Sequence, residues 1–149
     1  MSSASGRYVI VLNGEIYNHL EIKNELQKNN PVFFRGHSDT EILLAAIDAW
    51  GIDKTLEKSV GMFAFGLWDK EDRVLYLVRD RFGEKPLYYS WMNDVLVFVS
   101  ELRAFRFFPS FQKNISSNAL DLYLRYSYIP APFSIYENVF KLMPGHYLK

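Results

Sequence analysis

The run Met62-Phe63-Ala64-Phe65-Gly66-Leu67-Trp68 is followed by Asp69-Lys70-Glu71-Asp72-Arg73 and then by Val74-Leu75-Tyr76-Leu77-Val78. Apolar runs rich in aromatic and β-branched residues around a polar break predict two strands and a turn. The pattern returns in Leu87-Tyr88-Tyr89-Ser90-Trp91 and Val95-Leu96-Val97-Phe98-Val99, separated by Met92-Asn93-Asp94. Strands joined so closely pair antiparallel. Their apolar residues run almost continuously instead of alternating, so both faces of the sheet are covered. A second sheet on one face and helices on the other satisfy that requirement.

Upstream, Tyr8-Val9-Ile10-Val11-Leu12 predicts a strand closed by a turn at Asn13-Gly14. Asn18 with Glu21 resembles a capping box opening a helix to about Lys28, with Leu20, Ile22 and Leu26 as its apolar positions. Ser38 with Glu41 gives a second such signal. Its helix carries Ile42, Leu43, Ala45, Ala46, Ile47 and Trp50 and stops at Gly51, and a short helix over residues 52–58 follows. Downstream, a short amphipathic helix runs from beyond Glu101 to about Phe108. Another, capped by Ser116 or Ser117, extends to Tyr126. The prolines of Tyr128-Ile129-Pro130-Ala131-Pro132 exclude regular helix, and the chain closes on what reads as the start of another strand.

Composition narrows the classes. The 149 residues fit one domain, 17% of them aromatic, with 17 basic and 17 acidic side chains. A balanced charge gives no basic surface for nucleic acid. No stretch reaches the roughly 18 apolar residues of a membrane span, and the amino terminus lacks the pattern of a signal peptide. A cytoplasmic protein with no membrane partner is the expectation. There is no cysteine, hence no disulfide, thiolate metal site or cysteine nucleophile. His19, His37 and His146 lack metal-ligand spacing and read as packing or surface residues.

The candidate polar site is Asn13, Gly14, Glu15 and Asp39. Asn13 offers an amide donor, Gly14 a main-chain N–H open to close approach, and Glu15 and Asp39 carboxylates for an ammonium group. Each also has a purely structural reading. Asn-Gly is a common hairpin turn, and an acid in a first helical turn suits the helix dipole. Arg79, Asp80, Arg81, Glu84 and Lys85 read as a turn-rich solvated or interdomain ion-pair corner, not as a catalytic cluster.

An ordered set of motifs separates these readings. Asn13-Gly14-Glu15-Ile16-Tyr17-Asn18, Ser38-Asp39-Thr40-Glu41 and Gly61-Met62-Phe63-Ala64-Phe65 come first. Arg79-Asp80-Arg81-Phe82-Gly83-Glu84-Lys85-Pro86-Leu87-Tyr88-Tyr89 and Ser100-Glu101-Leu102 follow, and Tyr128-Ile129-Pro130-Ala131-Pro132 and Pro144-Gly145-His146-Tyr147 complete it. Together they resemble the class II glutamine amidotransferases, N-terminal-nucleophile hydrolases, and most of all the glutaminase half of asparagine synthetase (glutamine-hydrolysing). The resemblance implies an α+β fold, a truncated four-layer α/β/β/α sandwich of antiparallel sheets. It implies a partial amidotransferase domain over residues 1–126 and, over 127–149, a connector toward a synthetase domain. Asn13 and Gly14 would form the oxyanion hole, while Glu15 and Asp39 would contact glutamine, Asp39 at its α-ammonium.

The family's nucleophile is an N-terminal cysteine whose α-amino group acts as base. Neither that cysteine nor the arginine for the glutamine carboxylate has a counterpart here, and Arg7 lies on the wrong side of the pattern to replace the latter. Residues 1–8 resemble an interior stretch of the family. The chain is therefore expected to lack an amino-terminal segment, to be inactive alone, and to self-associate through the surface so exposed. No cofactor is expected in it, ATP and Mg²⁺ belonging to the synthetase domain that amidates aspartate. Two alternatives are a non-catalytic domain of the kind β-lactam synthetase carries, and the domain of another class II amidotransferase.

Overall fold

In the computed structural model, which describes residues 1–29 and 32–149, two antiparallel sheets lie face to face. The first has the order β1 (Tyr8–Ile16), β2 (Gly61–Asp69), β3 (Val74–Arg79) and β7 (Tyr147–Leu148). The second has the order β5 (Val95–Val99), β4 (Tyr88–Met92) and β6 (Phe140–Lys141). Both hairpins read from the sequence form at those positions. The β4–β5 turn places Asn93 and Asp94 at positive φ, a conformation these short polar side chains tolerate.

Helices α1 (His19–Asn29), α2 (Asp39–Trp50) and α3 (Ile52–Lys58) cover the outer face of the first sheet. Helix α2 buries Ile42, Leu43, Leu44, Ala46 and Ile47 against Ile10, Ile16, Phe63, Phe65 and Leu67. Each of its large side chains contributes roughly 1.5–3 kcal/mol by leaving water. Between the sheets, Ala64 and Leu77 meet Leu87, Leu142 and the half-buried Tyr89 and Phe98. Outside the second sheet, Phe105 of the 3-10 helix Leu102–Phe107 packs with Met92, Val139 and Phe111. The fourth layer is therefore thin. Helix α4 (Ser117–Tyr126) buries only Ala119.

Several local expectations need correction. Asn13-Gly14 is not a turn: β1 runs on to Ile16, with Asn13 opposite Ala64, Gly14 opposite Phe63 and Ile16 opposite Gly61. Asn18 does not cap α1 with its side chain. Its amide donates to the Lys58 carbonyl at 2.8 Å and accepts from the Val60 N–H at 2.9 Å, tying α1 to the entry of β2. Leu20 is 61% exposed, whereas Ile22 and Leu26 are buried as expected. Ser38 does cap α2, accepting from the Thr40 N–H. The Glu41 carboxylate instead accepts from the N–H groups of Arg35 and Gly36, ordering the loop ahead of the helix.

The corner after β3 also differs from its expectation. Arg79 and Asp80 are buried rather than solvated, and neither forms an ion pair among the described residues. Arg79 donates to the carbonyls of Lys85, Gly83 and Leu142 at 2.8, 2.6 and 2.6 Å. Asp80 accepts from the N–H groups of Phe82, Glu84 and Lys85 at 3.1, 3.0 and 3.0 Å. Burial lowers the Arg79 pKa, and the neighbouring Asp80 carboxylate opposes that shift.

At the opposite end of β1, Arg7 forms a two-pronged bond to the buried Asp69 and reaches Asp72 at 2.8 Å. The Arg7 hydrogen bond holds the Asp69 carboxyl below its ordinary 3.8. A depressed carboxylate pKa stabilises the fold above the ordinary value, and that contribution is lost as pH falls through the folded one. Asp69→Asn is thus expected to cost about 1–3 kcal/mol at pH 7 and to flatten the loss of stability below about pH 4. Urea midpoints taken from pH 7 down to pH 2.5 check both.

Candidate functional site

Strand β1 builds the site because its residues alternate between two faces. Ile10, Leu12 and Ile16 face the helices. Asn13 and Glu15 therefore project from the opposite face, at the mouth between the sheets, and both are exposed. Neither side chain is engaged in a hydrogen bond or ion pair among the described residues, so both are available to a ligand. A cavity of about 330 Å³ opens beside Asn13, with Val11 and Gly66 on the first sheet facing Leu87, Phe98 and Ser100.

Gly14 separates the two polar residues, and only glycine fits there. Its φ is 138°, and an added Cβ would stand 2.1 Å from the Met62 carbonyl oxygen and 2.7 Å from the Phe63 Cα. The strand is thereby bare of a side chain beside the Asn13 amide. The space a Cβ would take there is filled by the main chain of β2.

Asp39 begins α2 and joins this group through the main chain. One carboxylate oxygen accepts from the Ile16 N–H at 2.9 Å and the other from the Thr40 N–H at 2.7 Å. The first bond ties the helix to the end of the strand, two residues beyond Gly14. All four sequence-selected residues thus meet at the carboxyl end of β1. Arg7 does not, lying at the other end of the strand opposite Asp69.

Two further residues belong to the surroundings and were missed. Tyr17 is half exposed, and its phenol is pushed up by partial desolvation, with Glu84, Glu15 and Asp80 adding to the effect. Glu84 thus faces the same strand end as Glu15. Tyr17 was already inside the Asn-Gly-Glu run and Glu84 inside the Arg79 run, but nothing local says that the two runs meet. Glu15, Glu84 and Asp39 bring carboxylates to this strand end, which favours a cationic ammonium group.

The chemical inventory is one-sided. There are donors and carboxylates, but no thiol. His19 lies close by, yet its Nδ1 donates to the Ile16 carbonyl at 2.8 Å and serves the strand-to-helix junction. No group of three or more His, Asp or Glu residues that could hold a metal ion occurs among the described residues.

Comparison with known proteins agrees on one family. A family model described as a glutamine amidotransferase domain matches residues 1–149. Asparagine synthetase [glutamine-hydrolyzing] 1 of Bacillus subtilis is 40% identical over 138 residues, covering 93% of this chain and 21% of that protein. A putative asparagine synthetase [glutamine-hydrolyzing] 2 of Methanocaldococcus jannaschii is 39% identical over 136 residues, covering 90% and 25%. The chain therefore spans about a fifth to a quarter of the length of these curated relatives. Among solved structures, the glutamine phosphoribosylpyrophosphate amidotransferase of B. subtilis complexed with ADP and GMP superposes with a TM-score of 0.60. It is 25% identical, and the match covers 71% of this chain and 24% of that one.

Proposed function

The chain belongs to the glutamine amidotransferase domain family, and on that premise we propose that the carboxyl end of β1 is one wall of a glutamine site. The Asn13 amide and the Gly14 N–H supply donors to the oxyanion formed when a nucleophile attacks the glutamine carboxamide. Glu15 and Asp39 hold the amino-acid portion, Asp39 facing the α-ammonium. The observation that carries this reading is the exposed, unengaged Asn13 amide beside the cavity between the sheets, with Asp39 tied to the Ile16 N–H at the same strand end.

The attacking group in this chemistry is a cysteine thiolate. It adds to the carboxamide carbon, the tetrahedral oxyanion collapses, and ammonia leaves with a proton from the base. Water then releases glutamate from the thioester. The 149 residues contain no cysteine. In the larger protein we assign the ammonia to a synthetase domain in the same polypeptide, where ATP activates aspartate for amidation. We assign ATP and Mg²⁺ to that domain as well.

A second reading is a non-catalytic domain kept for folding, regulation or assembly. Both readings expect the isolated chain to release no glutamate from glutamine above the uncatalysed background. An enzyme-coupled glutamate assay at high chain concentration checks this. Turnover on the order of 1 s⁻¹ or faster, an ordinary enzyme rate, would overturn both.

A further inference from the structure

Helix α4 carries its apolar residues on the wrong side for this chain's own core. Ala119 is fully buried, but Leu120, Tyr123 and Leu124 form one i, i+3, i+4 stripe and are 44%, 51% and 74% exposed. Asp121 and Arg125 pair with each other on the flank of that stripe. The surface continues past the helix, where Tyr126 and Tyr128, both more than half exposed, lie with ring centroids 6.3 Å apart. A helix of 10 residues is marginal on propensity alone and owes its stability to packing. Here the packing inside the chain is Ala119 and the half-buried Leu122, with a Ser116 cap and a left-handed closure at Ser127.

An apolar stripe of this kind, rich in tyrosine and leucine and bordered by a charged pair, has the make-up of a protein interface. It is convex, so it offers no enclosed site for a small molecule. The relatives supply the occupant: three quarters or more of their length lies outside the match to this chain. We propose that Leu120, Tyr123 and Leu124, extended by Tyr126 and Tyr128, form the docking face for the synthetase domain of the same polypeptide. This rests on the partnership proposed above and adds the surface through which it acts.

The test uses the 149-residue chain and, as probe, the part of the B. subtilis relative that lies outside the match. Calorimetric titration of the two is compared for the wild-type chain, Leu124→Asp, the milder Leu124→Ala, and Phe33→Asp, which alters an exposed residue of the loop before α2. All four should have the same far-ultraviolet circular dichroism, since the changes fall on exposed positions. Binding weakened tenfold or more by Leu124→Asp, less by Leu124→Ala and not by Phe33→Asp supports the proposal. Equal binding by all four overturns the docking face and leaves the partnership standing. No binding by the wild-type chain overturns both. A dimer of the chain that Leu124→Asp dissolves, with no affinity for the probe, assigns the stripe to a second copy and also overturns the proposal.

Discussion

Replacing Gly14 with alanine is expected to cost about 3 kcal/mol or more of stability, one of the two largest single-residue effects in the chain. Two penalties act at once. An L residue at φ 138° is strained wherever it stands, and the new Cβ would fall 2.1 Å from a main-chain oxygen of β2. Backbone on both sides cannot withdraw without breaking the nine-residue register between β1 and β2. That pairing carries Ile10 and Ile16, on which α2 packs, so the loss spreads into the main core. Against a total of 5–15 kcal/mol for a domain, much of the fold's margin would go. Urea denaturation followed by fluorescence of the three tryptophans gives the difference directly. A change below about 1 kcal/mol would mean that β1 can slide or twist to admit a methyl group.

Asp80→Ala is the second. Asp80 is 1% exposed, and its carboxylate takes three main-chain N–H groups in the turn between β3 and β4. Removing it leaves three donors in a place water reaches poorly, each worth about 1–3 kcal/mol. It also leaves the adjacent buried Arg79 without a nearby negative charge that favours its ionised form. The expected loss is about 3 kcal/mol or more, with poor expression as its visible sign. Because the Asp80 carbonyl accepts from Gly145 and the Arg79 side chain reaches Leu142, the carboxyl-terminal strands should loosen first. Amide exchange at Tyr147 and Leu148 reads that order. Asp80→Asn keeps one acceptor oxygen and should lose less.

How much of this was legible depends on whether a signal was local. The hairpins β2–β3 and β4–β5 were, because strand and turn chemistry lie within a few residues and the apolar runs leave no other reading. Ser38, Ser116 and Gly51 marked helix ends for the same reason. Asn13-Gly14 was misread because its turn preference is local while the deciding fact is not. Gly61, nearly fifty positions away, lets the two backbones approach until β1 can only continue past the dipeptide. Asn18 failed in the same way, its amide being taken by Lys58 and Val60. At Arg79 and Asp80, charge suggested solvent, but a folded turn of main-chain donors and acceptors replaces water around both. The four candidate residues were selected through their motif order. Their meeting at one strand end depends on the Asp39 bond to the Ile16 N–H, which no spacing rule reveals.

The glutamine site itself is tested most directly in a chimera. The matching part of the B. subtilis relative is exchanged for residues 8–149 of this chain, and its own amino-terminal segment is kept. Glutamine-dependent glutamate release is then measured with and without Asn13→Ala. A working glutaminase that loses about 100-fold or more in turnover on Asn13→Ala is the expected result. A folded chimera that still uses free ammonia but does not hydrolyse glutamine, or one that Asn13→Ala leaves unchanged, would contradict the assignment.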